Sequence, residues 1–186
     1  MRHKVLFGRR AECAEFEAVA LPYLNELYRT AVHLVRDHTE AHDLVQEAYL
    51  QAWKAFHRFE SGTNCRAWLF KILMNEIRHY RRRWFNTKRV PEPEQSFEET
   101  LAFEPPVPED IRDEDVLAAL DEVHREFREV VLLADVQEFS YKEIAELLGI
   151  PVGTVMSRLS RGRKQLRVKL AAYARANGMK NCAEVR

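Results

Sequence analysis

Apolar residues recur at helical spacing over most of the chain. From about residue 12 to 35, Phe16, Val19, Ala20, Tyr23, Leu24, Leu27, Ala31, Leu34 and Val35 trace one face of a helix. The segment 36–39 breaks the pattern, and Thr39 is placed to cap the next helix. That helix sets Leu44, Val45, Ala48, Tyr49, Ala52, Trp53 and Phe56 on one side. Residues 61–64 (Ser-Gly-Thr-Asn) read as a turn, with Thr63 or Asn64 as the cap of a third helix. Trp68, Leu69, Ile72, Leu73 and Ile77 line its inward face, and it runs on into the basic stretch 78–84. Three amphipathic helices of this size close one small core.

Residues 91–112 are of another kind. Five of the seven prolines stand here (Pro91, Pro93, Pro105, Pro106 and Pro108) among acidic residues, without an apolar face. Proline removes backbone donors and like charges repel, so the segment reads as an extended, flexible linker. Beyond it, Val116, Leu117, Leu120, Val123, Phe127, Val130, Val131 and Ala134 predict one further amphipathic helix. Ser140-Tyr-Lys-Glu143 is a capping box. A short helix follows, with Ile144, Ala145, Leu147 and Leu148 buried. Gly149 suits its positive-φ C-cap, and Ile150-Pro151 ends it. A second helix from Val152 turns Val155, Leu159 and Leu166 inward and shows Thr154, Ser157, Arg158, Arg161, Arg163 and Lys164 outward. A short helix, a tight turn and a basic helix make a helix-turn-helix. The fold class is all-α: two small helical domains, 10–90 and 113–175, joined by the acidic, Pro-rich linker 91–112.

The net charge of the 186 residues is zero, but the charge is segregated. Residues 1–90 carry +6, 91–115 carry −9, 116–139 carry −4 and 140–186 carry +7. Two basic segments around an acidic middle suit a polyanion partner. The second helix of the helix-turn-helix fits a DNA major groove, where Arg pairs with guanine and Ser or Thr reach bases and phosphates. A second basic feature, 78–83, interleaves with Tyr80, Trp84 and Phe85, then Lys88 and Arg89. Aromatics there offer stacking platforms for unpaired bases while Arg holds phosphates.

Other classes lack their residues. Apolar runs reach about five residues, as at 130–134, too short to span a bilayer. The first ten residues lack a signal-peptide core. The chain is expected to be cytoplasmic, without membrane insertion. Cys13, Cys65 and Cys182 are odd in number and widely spaced, which fits neither a disulfide framework nor a CxxC metal site. His38 and His42 stand four apart without a third ligand, so no metal is expected. No nucleophile–base pair, phosphate-cradling glycine loop or metal-plus-carboxylate set is present. The reading is a binding protein without cofactor, not an enzyme.

Three stretches together resemble a known family. They are Asp43-Leu-Val-Gln-Glu-Ala-Tyr-Leu-Gln-Ala-Trp53, Arg66-Ala-Trp-Leu-Phe-Lys-Ile-Leu-Met-Asn75, and residues 140–163 from Ser140-Tyr-Lys-Glu to Ser160-Arg-Gly-Arg163. In this order they resemble an extracytoplasmic-function (group IV) sigma factor of the sigma-70 family, over about residues 12–173. The resemblance implies sigma region 2 in the first domain and region 4 in the second. It implies a factor that directs bacterial RNA polymerase to specific promoters in a stress response. Its partners would be core RNA polymerase, promoter DNA and an anti-sigma factor. The wording of residues 140–163 is closest to the redox-responsive subgroup, whose anti-sigma proteins contain zinc.

Carried over by residue, Asp43, Gln46 and Glu47 match the polymerase-binding patch; at i, i+3 and i+4 they share one helix face. Asn75 matches a promoter-reading Asn, in a −10 surface made of Asn64, Asn75, Arg78, His79, Arg82, Arg83 and Trp84. Its base pocket is expected between the 59–64 loop and the helix through Asn75. The −35 surface is Thr154, Ser157, Arg158, Arg161, Arg163 and Lys164. The family commonly carries an acidic residue where this chain has His79, so its −10 preference is not transferred; His42 likewise stands where an acidic residue is usual. A self-sufficient dimeric helix-turn-helix repressor or activator would account for 140–170, but leaves the first domain and the acidic linker without work.

Overall fold

The computed structural model describes residues 12–60, 62–88 and 113–176, with 85–88 and 113–114 described by backbone course only. The linker expected at 91–112 lies outside the described residues. The chain divides into two compact units, Met1–Val90 and Pro91–Arg186. The described residues are helical, without a strand.

In the first unit, α1 (12–20) ends at a 3₁₀ turn, Leu21–Tyr23. Helix α2 (Leu24–Val35), α3 (His38–Ala55) and α4 (Cys65–Lys88) then pack on one another. The single helix expected over 12–35 is thus two. Pro22 is the reason: it lacks an N–H and its ring crowds the preceding turn. Tyr49 Oη closes the break by donating to the Ala20 carbonyl at 2.8 Å, and burial pushes its phenol up to about 12.

The core holds Phe16, Leu27, Leu34, Leu44, Leu69, Phe70, Leu73 and Ile77, all buried. Full burial of each such side chain is worth about 1.5–3 kcal/mol. Between α2 and α3, Arg36 adopts φ 62°, and its N–H bonds the Val32 carbonyl. The cap of α3 is Asp37, not Thr39: its carboxylate accepts from Thr39 N at 2.8 Å and Glu40 N at 3.0 Å. A carboxylate two residues earlier serves two orphan donors and also meets the positive end of the helix dipole. Asn64, of the two cap candidates, accepts from Ala67 N at 3.0 Å. Arg66 on α4 pairs with Glu26 on α2, and Arg81 donates to the Leu34 carbonyl at 3.0 Å. Both ends of α2 are thereby fastened to α4.

The second unit comprises α5 (Asp113–Asp121), α6 (Arg125–Val131), α7 (Tyr141–Leu148) and α8 (Val152–Ala176), a 25-residue spine that touches the other three. The one helix expected from Val116 to Ala134 is instead α5 and α6. One distant and one nearby side chain hold the break: Gln165 accepts the His124 N–H at 3.1 Å, and buried Arg128 donates to the Asp121 carbonyl at 2.9 Å. A π turn, Leu132–Val136, ends α6, with Gln137 N bonded to the Leu132 carbonyl at 3.0 Å.

Close packing of α6 on α8 requires Gly162. A Cβ there would lie 2.5 Å from Val131 Cγ2 and 3.1 Å from the Phe127 carbonyl oxygen. Leu166, expected inward, is only half-buried, although Gly162 and Leu170 on either side of it along the same face are buried.

Candidate nucleic-acid and protein interfaces

The capping box forms as the spacing requires. Ser140 Oγ accepts from Glu143 N at 3.3 Å, and Glu143 Oε2 accepts from Ser140 N at 2.9 Å. Gly149 ends α7 at φ 67°, a region open to glycine at little cost, and its N–H bonds the Ala145 carbonyl at 2.9 Å. The Pro151 carbonyl starts α8, accepting from Thr154 N at 2.9 Å and Val155 N at 3.1 Å. Both ends of the turn are closed by local bonds, so the direction of α8 is fixed relative to α7.

Burial then divides the α8 residues. Val155, Leu159 and Gly162 are buried; Gly153, Ser157, Ser160 and Arg161 stand in solvent on the opposite face, and Val152 and Met156 are exposed along one edge of it. Of the six residues assigned to this surface from sequence, Ser157 and Arg161 lie on that outer face, while Thr154 and Lys164 are half-exposed. Arg158 and Arg163 are at its flanks and engaged within the unit. Arg158 meets Glu126 of α6 at 2.7 Å. Arg163 meets Asp135 of the π turn through two bonds, at 3.0 and 2.6 Å, and these hold its guanidinium above the ordinary value. Exposed pairs of this kind are worth about 0–1 kcal/mol, less than the roughly 1–3 kcal/mol of a good base contact. Both arginines can therefore exchange a carboxylate for DNA.

Sequence reading missed Met156, because it sought basic and hydroxyl residues, and it passed over Ser160 although its hydroxyl is of the type sought. The signal that finds them is their offset from Val155, Leu159 and Gly162 around the helix.

In the first unit, Asp43 and Gln46 are exposed and Glu47 is half-buried, beside the core residues Leu44, Val45 and Ala48. Gln46 Nε2 lies 3.3 Å from His42 Nε2, Asp43 lies 3.8 Å from His42 Nδ1, and Glu47 accepts from Gln51 at 2.6 Å. A groove of about 750 Å³ runs between α3 and α4. Glu40, Asp43, Leu44 and Glu47 line one side; Glu76, His79, Tyr80, Arg82 and Arg83 line the other. It brings together members of the polymerase-binding and −10 sets, which sequence reading had kept apart.

Asn75 is half-exposed and its Oδ1 accepts from Arg78 at 3.0 Å. Arg78, His79, Arg82, Arg83 and Trp84 are exposed, whereas Tyr80 is half-buried, and burial raises its phenol. Asn64 stands apart from this group in its bonding, as the cap of α4. Near the loop where the base pocket is expected, Phe59 stacks on Phe56 (5.8 Å between centroids) and meets Trp68 with its ring tilted by 38° (4.9 Å).

His38 Nδ1 lies 3.2 Å from the Tyr28 hydroxyl. Among the described residues no group of three His, Cys, Asp or Glu is placed to hold a metal ion. Cys65 is buried, which raises its thiol, and Cys13 is exposed with its thiol donating to Glu17 at 3.5 Å. Among the described residues no helix is long and apolar enough to cross a membrane.

Comparison with known proteins gives concordant matches. Residues 20–85 match the profile described as Sigma-70 region 2, and residues 113–166 the one described as Sigma-70, region 4. A relative in Rhodopseudomonas palustris, the ECF RNA polymerase sigma factor EcfG, is 36% identical over 73% of this chain and 74% of its own length. The ECF RNA polymerase sigma factor SigE of Mycolicibacterium smegmatis is 33% identical over 90% of this chain and 66% of its own length. Among solved structures, the sigma factor RpoE from Bartonella quintana, in complex with the anti-sigma factor NepR, aligns with a TM-score of 0.66 and 33% identity. That match covers 84% of this chain and 96% of that one. CnrH in complex with the cytosolic domain of CnrY aligns with a TM-score of 0.57 and 25% identity, covering 88% and 90%.

Proposed function

This chain belongs to the sigma-70 family as an extracytoplasmic-function sigma factor, and on that footing we propose how its surfaces divide the work. Residues 10–90 act as region 2, 91–112 as the linker and 113–175 as region 4. Asp43, Gln46 and Glu47 bind core RNA polymerase. Helix α8 enters the major groove of the −35 element with Thr154, Ser157, Arg158, Arg161, Arg163 and Lys164. The single-stranded −10 element is held by Asn64, Asn75, Arg78, His79, Arg82, Arg83 and Trp84.

This protein performs no bond-making step in that process. Bases captured outside the stack shift the equilibrium from duplex toward bubble, because only the open form gains those contacts. The observation that carries the reading is α8. Its buried stripe packs on α6 and α7, and its other side is left exposed, with Ser157, Ser160, Arg161 and Arg163 in solvent and Val152 and Met156 along one edge.

The setting is cytoplasmic, where polymerase and promoter are. Control comes from an anti-sigma factor, in keeping with the relatives captured with NepR and CnrY. The redox-responsive subgroup, with its zinc-containing anti-sigma proteins, rests on the wording of residues 140–163.

A variant with Asp43, Gln46 and Glu47 all replaced by Ala tests the polymerase assignment. Its helical circular dichroism should match wild type, because none of the three is buried. It should fail to compete with wild type for core polymerase. Undiminished competition would refute the assignment.

A further inference from the structure

At the edge of the outer face of α8 stands one long apolar side chain. Met156 is 55% exposed, the highest value among the exposed large hydrophobic residues of the described structure. At helical spacing its neighbours are Val152, itself 42% exposed, Gly153 and Ser160, with Ser157 next to it in the chain. Nothing in the second unit's packing explains it, since the buried stripe runs through Val155, Leu159 and Gly162.

A second observation bears on the same spot. Gly153, three residues before Met156 on α8, has no positive φ, and a Cβ added there would meet nothing within 4 Å. Neither backbone geometry nor internal packing requires glycine at that position. An outside surface that comes close to the start of α8 would.

In a major groove the one apolar group on a base edge is the thymine 5-methyl. The hydroxyls of Ser157 and Ser160 beside Met156 supply polar contacts, and the exposed Val152 one turn earlier extends the apolar edge. A flexible thioether adapts its shape to a small methyl target. We propose that Met156 is a specificity-determining residue that packs on the 5-methyl group of a thymine in the −35 element, with Gly153 leaving room for the DNA to approach. The proposal rests on the reading of α8 as the −35 helix and adds to it a base that the basic residues cannot select.

The test uses holoenzyme reconstituted from the full chain and core polymerase. Duplexes are first selected from a library randomised in the −35 segment. Each thymine of the selected sequence is then replaced singly by deoxyuridine, which removes only the methyl. Wild type should lose about fourfold in affinity at one thymine, the worth of one buried methyl group. Met156→Ala should bind the thymine duplex about that much more weakly and show no further loss on deoxyuridine. Met156→Leu should keep the sensitivity. Indifference of wild type to deoxyuridine at every thymine would overturn the proposal, as would Met156→Ala keeping the full wild-type loss. Arg161→Ala separates the two levels. If it weakens −35 binding while Met156→Ala keeps its uracil sensitivity, the methyl contact fails and the −35 helix stands. If neither variant changes selection or affinity, the reading of α8 fails and the proposal with it.

Discussion

Two glycines on α8 have opposite surroundings, and a methyl group should tell them apart. At Gly162 a Cβ would collide with Val131 Cγ2 and crowd a backbone oxygen of Phe127. Gly162→Ala should therefore lower stability by about 1–3 kcal/mol through overpacking, read as a fall in the urea midpoint. At Gly153 the space is open, and alanine favours helix by up to about 0.5–1 kcal/mol. Gly153→Ala should raise the melting temperature and weaken −35 binding by holoenzyme. A variant more stable and equally active would show that this position faces solvent, not DNA. The arginines make a related point about reading charge from sequence. Arg158 and Arg163 are basic residues of the proposed −35 helix, yet each has a carboxylate partner from another element. Those carboxylates, Glu126 and Asp135, lie 28 or more residues away in sequence, and no local pattern reveals such pairings.

What could be read in advance among the elements follows the range of the forces involved. The α7 cap, the Gly149 stop and the start of α8 depend on residues within five positions of one another, and all three were legible. Asp37 is as local, but Thr39 drew attention because the apolar pattern starts late in α3. The break between α5 and α6 was not legible: apolar spacing runs on through it, and the groups that stabilise it include Gln165, 41 residues away from His124. The groove between α3 and α4 was likewise hidden, since helical periodicity describes each helix and not the cleft between two of them. The α7 cap yields a direct prediction. Ser140→Ala removes the acceptor for Glu143 N and should cost about 0.5–2 kcal/mol. It should do so without altering which −35 sequence is selected, because Ser140 lies outside α8. An altered selection would mean that the cap itself meets DNA.

At the scale of the whole chain, charge decides what the free protein does. Positive segments of +6 and +7 are offset by −9 and −4 between them, and the net charge is zero. Non-specific DNA affinity depends on phosphate neutralisation and counterion release, so a chain without excess positive charge has little drive toward a polyanion. The free full-length protein should bind promoter duplex weakly, and a salt-dependent nanomolar complex would contradict this.

Polymerase changes that balance by holding both DNA-binding surfaces on one promoter. Two weak contacts then reinforce each other through a raised effective concentration. The most direct measurement is transcription in vitro from a promoter selected by the holoenzyme, with purified core polymerase and with or without this chain. The account predicts initiation at one defined start site that requires the chain. Initiation should fall when either the −35 element or the Asp43/Gln46/Glu47 patch is altered. Tight binding to a palindrome by a dimer of the free chain, with no promoter-specific transcript from the reconstituted enzyme, would contradict it.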